Sequence, residues 1–251
     1  MTFNDKVAIV FGGAVGIGAE TVRKLASAGA KVSICDINQK DGEQLAGEVG
    51  GIFSFCDVSK DESVSNAIRD CIERLGTPSF AHLNSGVMTA PSDAPFQPMH
   101  QTSPEDYRRV MSINVDGVFY GLRHLIPLMG KSDGAITVTA SRGGLAATPF
   151  DPIYAASKAA VIHLVRSVSA ANAKLPLRIN ALCPGTVETA MLSDLVRKAG
   201  VPLMPPSIMA EEVIALMRDG GNGEVRAKLH DKPAFAIGAF DSELQYQAPT
   251  S

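Results

Sequence analysis

Lys6-Val7-Ala8-Ile9-Val10-Phe11-Gly12-Gly13-Ala14-Val15-Gly16-Ile17-Gly18 is the stretch on which the fold turns. Its first six residues form a short, unbroken, β-branched-rich run, as expected of a parallel strand buried on both faces. The glycines come next, and an amphipathic helix over about 19–28 follows, closed by Gly29. Glycine lets the backbone turn tightly and approach a pyrophosphate, while the helix N-terminus faces the phosphates. A Gly-x-x-x-Gly-x-Gly turn alone could be only a tight connection. Between a first strand and a first helix, it points to a dinucleotide site held by Gly12, Gly16, Ile17 and Gly18.

The second strand (31–35) runs into Asp36, 18 residues after Gly18. An acid at this point accepts hydrogen bonds from an adenosine ribose and repels a 2′-phosphate. Neither Val15 nor Ile37 offers a cation to such a phosphate, so the expected cofactor is NAD. Strand and helix then alternate: a helix over 39–49, a strand over 52–56 running into Asp57-Val58, a helix over 61–75, and a strand over 79–84 ending at Ser85-Gly86. An irregular stretch over 87–102 with three prolines leads to a capped helix expected to run unbroken over 103–129, with Asn114 in its middle. Strands over 134–140, 177–183 and 224–229 complete the pattern. It implies right-handed crossovers, an α/β doubly wound, seven-stranded parallel sheet flanked by helices, and ligands at the carboxyl ends of the strands. His82, inside the fourth strand, reads as a packing residue.

The remaining chemistry lies in Tyr154-Ala155-Ala156-Ser157-Lys158. Asp151 reads as an N-cap and Pro152 as a first helical residue, which puts Tyr154 in the first turn and Lys158 on the same face. A free phenol is only ~0.1% ionised at neutral pH, and a neighbouring ammonium lowers a pKa by ~1–3 units. The helix N-terminus is expected to act in the same direction. Tyr154 is thus a candidate acid–base. A Tyr and a Lys at this spacing are more often a solvated helix face, so the pair gains weight from the cofactor site.

Together these residues resemble the short-chain dehydrogenase/reductase family over about 6–229. The resemblance implies a Rossmann-type fold, a catalytic tetrad of Asn114, Ser141, Tyr154 and Lys158, and a phosphate loop at Gly12, Gly16 and Gly18. It also implies a ribose ligand at Asp36, an adenine contact at Asp57-Val58, a strand end at Asn84-Ser85-Gly86, and a nicotinamide segment carrying Pro184, Gly185, Val187 and Thr189. Asn114 would hold a water linking Lys158 to solvent. Phe11 and Leu83 depart from the family pattern, where Thr and Asn are usual, and the ending after Gly223 lacks its Asp-Gly-Gly.

With 251 residues and no linker or charge run, one domain spanning 1–251 with a tail from about 230 is expected. A net charge of −3 argues against a nucleic-acid partner. Four scattered cysteines suggest no metal and a reducing compartment. No run approaches the ~18 apolar residues needed to cross a membrane, so a cytoplasmic protein is expected. The substrate pocket is expected to use Arg142, Leu145, Phe150, Met191, Leu192, Leu195 and Leu203, a mainly apolar set that suits a small hydrophobic secondary alcohol or ketone. Arg142 could pair with a substrate carboxylate, or simply face solvent or a subunit interface. A non-catalytic NAD-binding sensor is the competing class, and the intact tetrad weighs against it. Excess apolar residues on the helix over 151–173 suggest a homodimer or homotetramer, and the strip Phe235, Ile237 and Phe240 a contact with a neighbouring subunit.

Overall fold

Strand β1 (Val7–Phe11) is buried along its whole length, as its unbroken apolar run requires. In this computed structural model, which describes residues 2–238 apart from the side chain of Leu195, it pairs in parallel with β2 (Lys31–Asp36) and β4 (Phe80–Leu83). The sheet has the order β3-β2-β1-β4-β5-β6-β7-β8, where β3 is Ile52–Phe55, β5 Gly134–Thr139, β6 Leu177–Pro184, β7 Val225–Lys228 and β8 Phe235–Ala236. The order reverses between β1 and β4, the crevice in which a doubly wound sheet takes its ligand.

Side chains alternate between the two faces of β1. Ile9 and Phe11 enter one core with Val64 and Ile68 of α3 (Asp61–Leu75), Leu122 of α5 (Gly117–Met129) and Val161 and Val165 of α6 (Pro152–Ala171). Ala8 and Val10 enter the other, with Val22 and Leu25 of α1 (Gly16–Ser27), Leu45 of α2 (Gln39–Val49), and Val213 and Leu216 of α8 (Pro206–Asp219). Phe11 and Leu83, the two departures from the family pattern, are core residues here. All four cysteines are buried free thiols. Among the described residues no helix is long and apolar enough to cross a membrane.

Two differences from the sequence reading have local causes. The sheet has an eighth strand, β8, antiparallel to β7. Two exposed edge residues carry no periodicity to read, and they are held by backbone pairing. Next to β8, Ile237 packs against its own core and the Arg166 guanidinium donates to the Ile237 and Gly238 carbonyls at 3.2 and 2.7 Å. Phe235 of the proposed contact strip is exposed, and Phe240 lies outside the described residues. The second difference is the helix over 103–129. It opens as expected, with the Ser103 hydroxyl accepting from the Asp106 N–H at 3.0 Å, but it divides into α4 (Pro104–Met111), a π-helical segment (Ser112–Asp116) and α5. The wider turn carries Asn114, and π segments inside helices are frequent at functional sites.

Candidate active site

The turn after β1 depends on glycine at particular points. Gly12 and Gly16 have φ of +68° and +58°, in the left-handed region that side chains disfavour. A Cβ on Gly18 would sit 1.9 Å from the Gly12 carbonyl oxygen. Val15 occupies the N-cap position of α1 and supplies no side-chain acceptor, which leaves the helix N-terminus without an internal cap. Asp36 has a second task beside the one its position suggested. Its two oxygens accept from the Ala14 and Asn38 N–H groups at 2.9 and 3.0 Å, so it also fixes the glycine loop. Asp57 accepts from both the backbone N–H and the hydroxyl of Ser59, at 3.0 and 2.7 Å. Val58 is buried against Gly117.

Asn84 belongs to a buried chain of polar groups. Its amide donates to the Gly12 carbonyl at 3.0 Å, and its oxygen accepts from the Thr139 hydroxyl at 2.9 Å. That hydroxyl lies 3.2 Å from His82 Nε2, and His82 Nδ1 is 3.1 Å from the Thr137 carbonyl, which can only accept. Burial pushes His82 down to about 4, so it is neutral at physiological pH. His82 is therefore the packing residue expected, with the added role of linking β4 and β5 to the glycine loop.

The tetrad converges at the ends of β4, β5 and β6. Asp151 caps α6 by accepting from the Tyr154 N–H at 3.0 Å. The Lys158 ammonium is buried, donates to the Thr139 carbonyl at 2.9 Å and lies 5.8 Å from the centre of the Tyr154 ring. A Cβ on Gly86 would approach it to 3.1 Å, so glycine at this strand end makes room for the lysine. Ser141 accepts from the Gly143 N–H at 3.0 Å, and its hydroxyl and the Tyr154 ring both face Gly143. Asn114 accepts from the Val87 N–H at 2.8 Å and donates to the Val87 carbonyl and the Ser157 hydroxyl at 2.9 and 3.0 Å. No amide hydrogen of its side chain is left over for the water that the resemblance assigns to it.

The electrostatics correct one expectation. The Tyr154 phenol is raised above its ordinary value by burial, with the Ser141 hydroxyl acting against this and the Asp151 carboxylate adding to it. Burial also pushes Lys158 down to about 8. Desolvation is the largest cause in both, because phenolate and ammonium are each disfavoured away from water.

A cavity of about 450 Å³ runs from Asp36 and Asp57 past Gly12, Asn84 and Gly86 to Tyr154 and Lys158. The segment after β6 closes its far side. Gly185 donates to the Lys228 carbonyl at 2.9 Å, Val187 bridges to Met204, and the Thr189 carbonyl accepts from Arg197 at 2.7 Å. Pro184, Gly185, Val187 and Thr189 all line the cavity.

Of the expected substrate residues, Arg142, Phe150, Met191 and Leu192 also line it. Leu145 instead packs against the core behind α6, and Leu203 lies outside the lining because the chain there turns to bring Met204 onto Val187. The Leu195 side chain is outside the described residues. Ile113, Thr148, Val196 and Val201 were not anticipated, and Met88 only as part of the irregular stretch over 87–102. The position of Met88 just beyond the β4 end, and of Thr148 between Ser141 and Tyr154, were the available signals. Among the described residues no cluster is placed to hold a metal ion.

The family model described as short chain dehydrogenase matches residues 6–200. The chain is 32% identical over 208 residues to an uncharacterised oxidoreductase of Thermotoga maritima, a match covering 80% of each. It is 35% identical over 193 residues to a 2,5-dichloro-2,5-cyclohexadiene-1,4-diol dehydrogenase of Sphingobium indicum, covering 75% of each. Its fold superposes with a TM-score of 0.81 on a 3-ketoacyl-(acyl-carrier-protein) reductase from Brucella melitensis complexed with NADH, at 26% identity, covering 90% of this chain and 96% of that one.

Proposed function

Because this chain belongs to the short-chain dehydrogenase/reductase family and is an oxidoreductase acting on CH–OH groups, we propose that it moves a hydride between NAD(H) and an apolar secondary alcohol or ketone, with Tyr154 as the acid–base. The observation that carries this reading is the convergence of Ser141, Tyr154 and Lys158 at one end of a cavity whose other end is the glycine loop and Asp36. The residues fit a dinucleotide: the glycine turn is open where a Cβ would fill it, and the N-terminus of α1 has no side-chain cap. The bound cofactor would supply the hydride acceptor or donor.

Ser141 would hold the carbonyl oxygen, and Tyr154 would take the carbinol proton or return it. A phenol raised by burial is held protonated, the form that gives a proton to a ketone, and to act as base it would first have to lose that proton. Lys158 would bind the nicotinamide ribose and hold positive charge near the phenol. Met88, Ile113, Phe150, Met191 and Leu192 give the substrate end an apolar wall. The substrate name of the Sphingobium relative is also a cyclic secondary alcohol.

For the cofactor, the Asp36 carboxylate and the lack of a cation at Val15 or Ile37, both exposed beside it, favour NAD over NADP. Catalytic efficiency should be much higher with NAD(H), and Asp36→Ala should narrow the gap while also loosening the loop held through Ala14. Equal efficiency of the wild type with both cofactors would overturn the NAD assignment.

A homodimer or homotetramer is proposed as well. Val161, Ile162 and Val165 of α6 are core residues, so the case rests on the exposed faces. Tyr107 and Phe119 are each 48% exposed on α4 and α5, and the Phe119 ring lies tilted against Tyr120 with centroids 5.6 Å apart. Light scattering at micromolar concentration should give a dimer or tetramer mass, and a fully active monomer would rule the assembly out.

A further inference from the structure

We propose that Asp151 is a positioning residue whose buried carboxylate ties the loop after β4 to the first turn of α6, and so sets both the wall of the site at Met88 and the surroundings of the Tyr154 phenol. Asp151 is 1% exposed. One oxygen accepts from the Tyr154 N–H and the other from the Thr89 N–H, each at 3.0 Å. A helix cap requires only the first of these bonds, and Ser, Thr or Asn would provide it. What a carboxylate adds is an acceptor at both ends.

The second bond completes a series. Val87 is held by Asn114 through its N–H and its carbonyl. The Met88 and Thr89 carbonyls accept from the Arg109 guanidinium at 3.2 and 2.7 Å. The Thr89 N–H goes to Asp151. Three consecutive residues are thus fixed by the π segment, by α4 and by the cap of α6, with Met88 lining the cavity. Beyond them the chain is irregular and carries Pro91, Pro95 and Pro98, and it is next held where Asp194 N–H donates to the Ser92 carbonyl at 2.8 Å. Burying a carboxylate whose bonds are to backbone N–H groups is costly unless both oxygens are satisfied, and here they are.

The charge of Asp151 also reaches the phenol, which is faced by Lys158 on the same helix and by Ser141 and Cys183 at the ends of β5 and β6. The carboxylate favours the neutral phenol, so its removal should ease ionisation. The loop tie stands by itself, whereas its consequence for catalysis rests on Tyr154 being the acid–base.

Asp151→Asn and Asp151→Ser in the full chain test this without any substrate. Both variants keep an oxygen for the Tyr154 N–H. Asn then presents its NH₂ to the Thr89 N–H, and Ser does not reach it. Amide exchange over 87–90 should quicken about tenfold or more in both, the scale of losing one hydrogen bond to a charged group. In Asp151→Asn the Tyr154 resonance, followed in ¹³C-tyrosine-labelled protein and identified by its absence in Tyr154→Phe, should titrate at lower pH than in the wild type. With a substrate in hand, KM should rise more than kcat falls. Unchanged loop exchange in both variants, or an unmoved phenol titration, overturns the proposal; if one variant does not fold, the other decides by the same readouts. If the loop opens and the titration moves but the wild type turns over no alcohol or ketone, the tie is upheld and the proposed function fails.

Discussion

Tyr154→Phe is expected to lower turnover by about 10²–10⁴-fold, the usual range for removing a positioned proton donor or acceptor, while leaving NADH affinity nearly unchanged. The substitution deletes one oxygen from a side chain that is otherwise enclosed, 8% exposed, at the start of α6. The ring stays, as do the Asp151 cap and the Lys158 contact to Thr139, so the fold and the cofactor end of the cavity should be preserved. Steady-state rates together with a titration of NADH fluorescence separate the two effects. The chain has no tryptophan, which leaves the emission of the reduced cofactor free of indole overlap. Substantial turnover by the variant would require another base.

Lys158→Ala should lose both functions. Its ammonium is buried and donates to the Thr139 carbonyl, and truncation removes a positive charge 5.8 Å from the centre of the Tyr154 ring. Loss of one hydrogen bond to a charged group corresponds to about 10–100-fold in NADH affinity, with at least as large a loss of turnover in addition. The ammonium form predominates below pH of about 8, since burial has brought it there, so in the wild type the part of the affinity owed to the charge should be present below that pH and fade above it. Retention of NADH binding by Lys158→Ala would move the ribose contact to another residue.

The sequence made the fold legible wherever pattern and physics coincide. β1 is unbroken and apolar because it is covered on both faces, and Asp151-Pro152 marks the start of α6 because an acid caps and proline fits the first turn. The parts that escaped reading depend on distant partners. The π segment around Asn114 answers to Val87 and Ser157, residues 27 and 43 positions away, and nothing within 103–129 announces it. β8 depends on the open edge of β7 and on Arg166 and the core contact of Ile237 beside it.

The site divides in the same way. The glycines and Asp36 could be placed from local spacing, and Tyr154 and Lys158 paired by it, whereas Asn114 and Ser141 came only from the family resemblance. The apolar wall of the cavity could be read only in part: Phe150, Met191 and Leu192 line it, but Leu145 is as apolar as Leu192 and only tertiary packing sends it against the core, while Leu203 lies outside the lining. The phenol's electrostatics were misjudged for a related reason. Helical spacing shows that an ammonium is near Tyr154, but the degree of burial that raises the phenol and lowers the lysine is a property of the whole fold.

The central claim is that this cavity performs hydride transfer between NAD(H) and a carbinol carbon. It is tested most directly by incubating the wild-type protein with NAD and a panel of secondary alcohols, cyclic and acyclic, and with NADH and the matching ketones, following the absorbance of NADH, with Tyr154→Phe as the parallel control. The account predicts protein-dependent formation or consumption of NADH with at least one apolar member of the panel, lost in the Tyr154→Phe control. Tight NADH binding with no turnover of any member would contradict it, and would instead mark the chain as a non-catalytic binder of the cofactor.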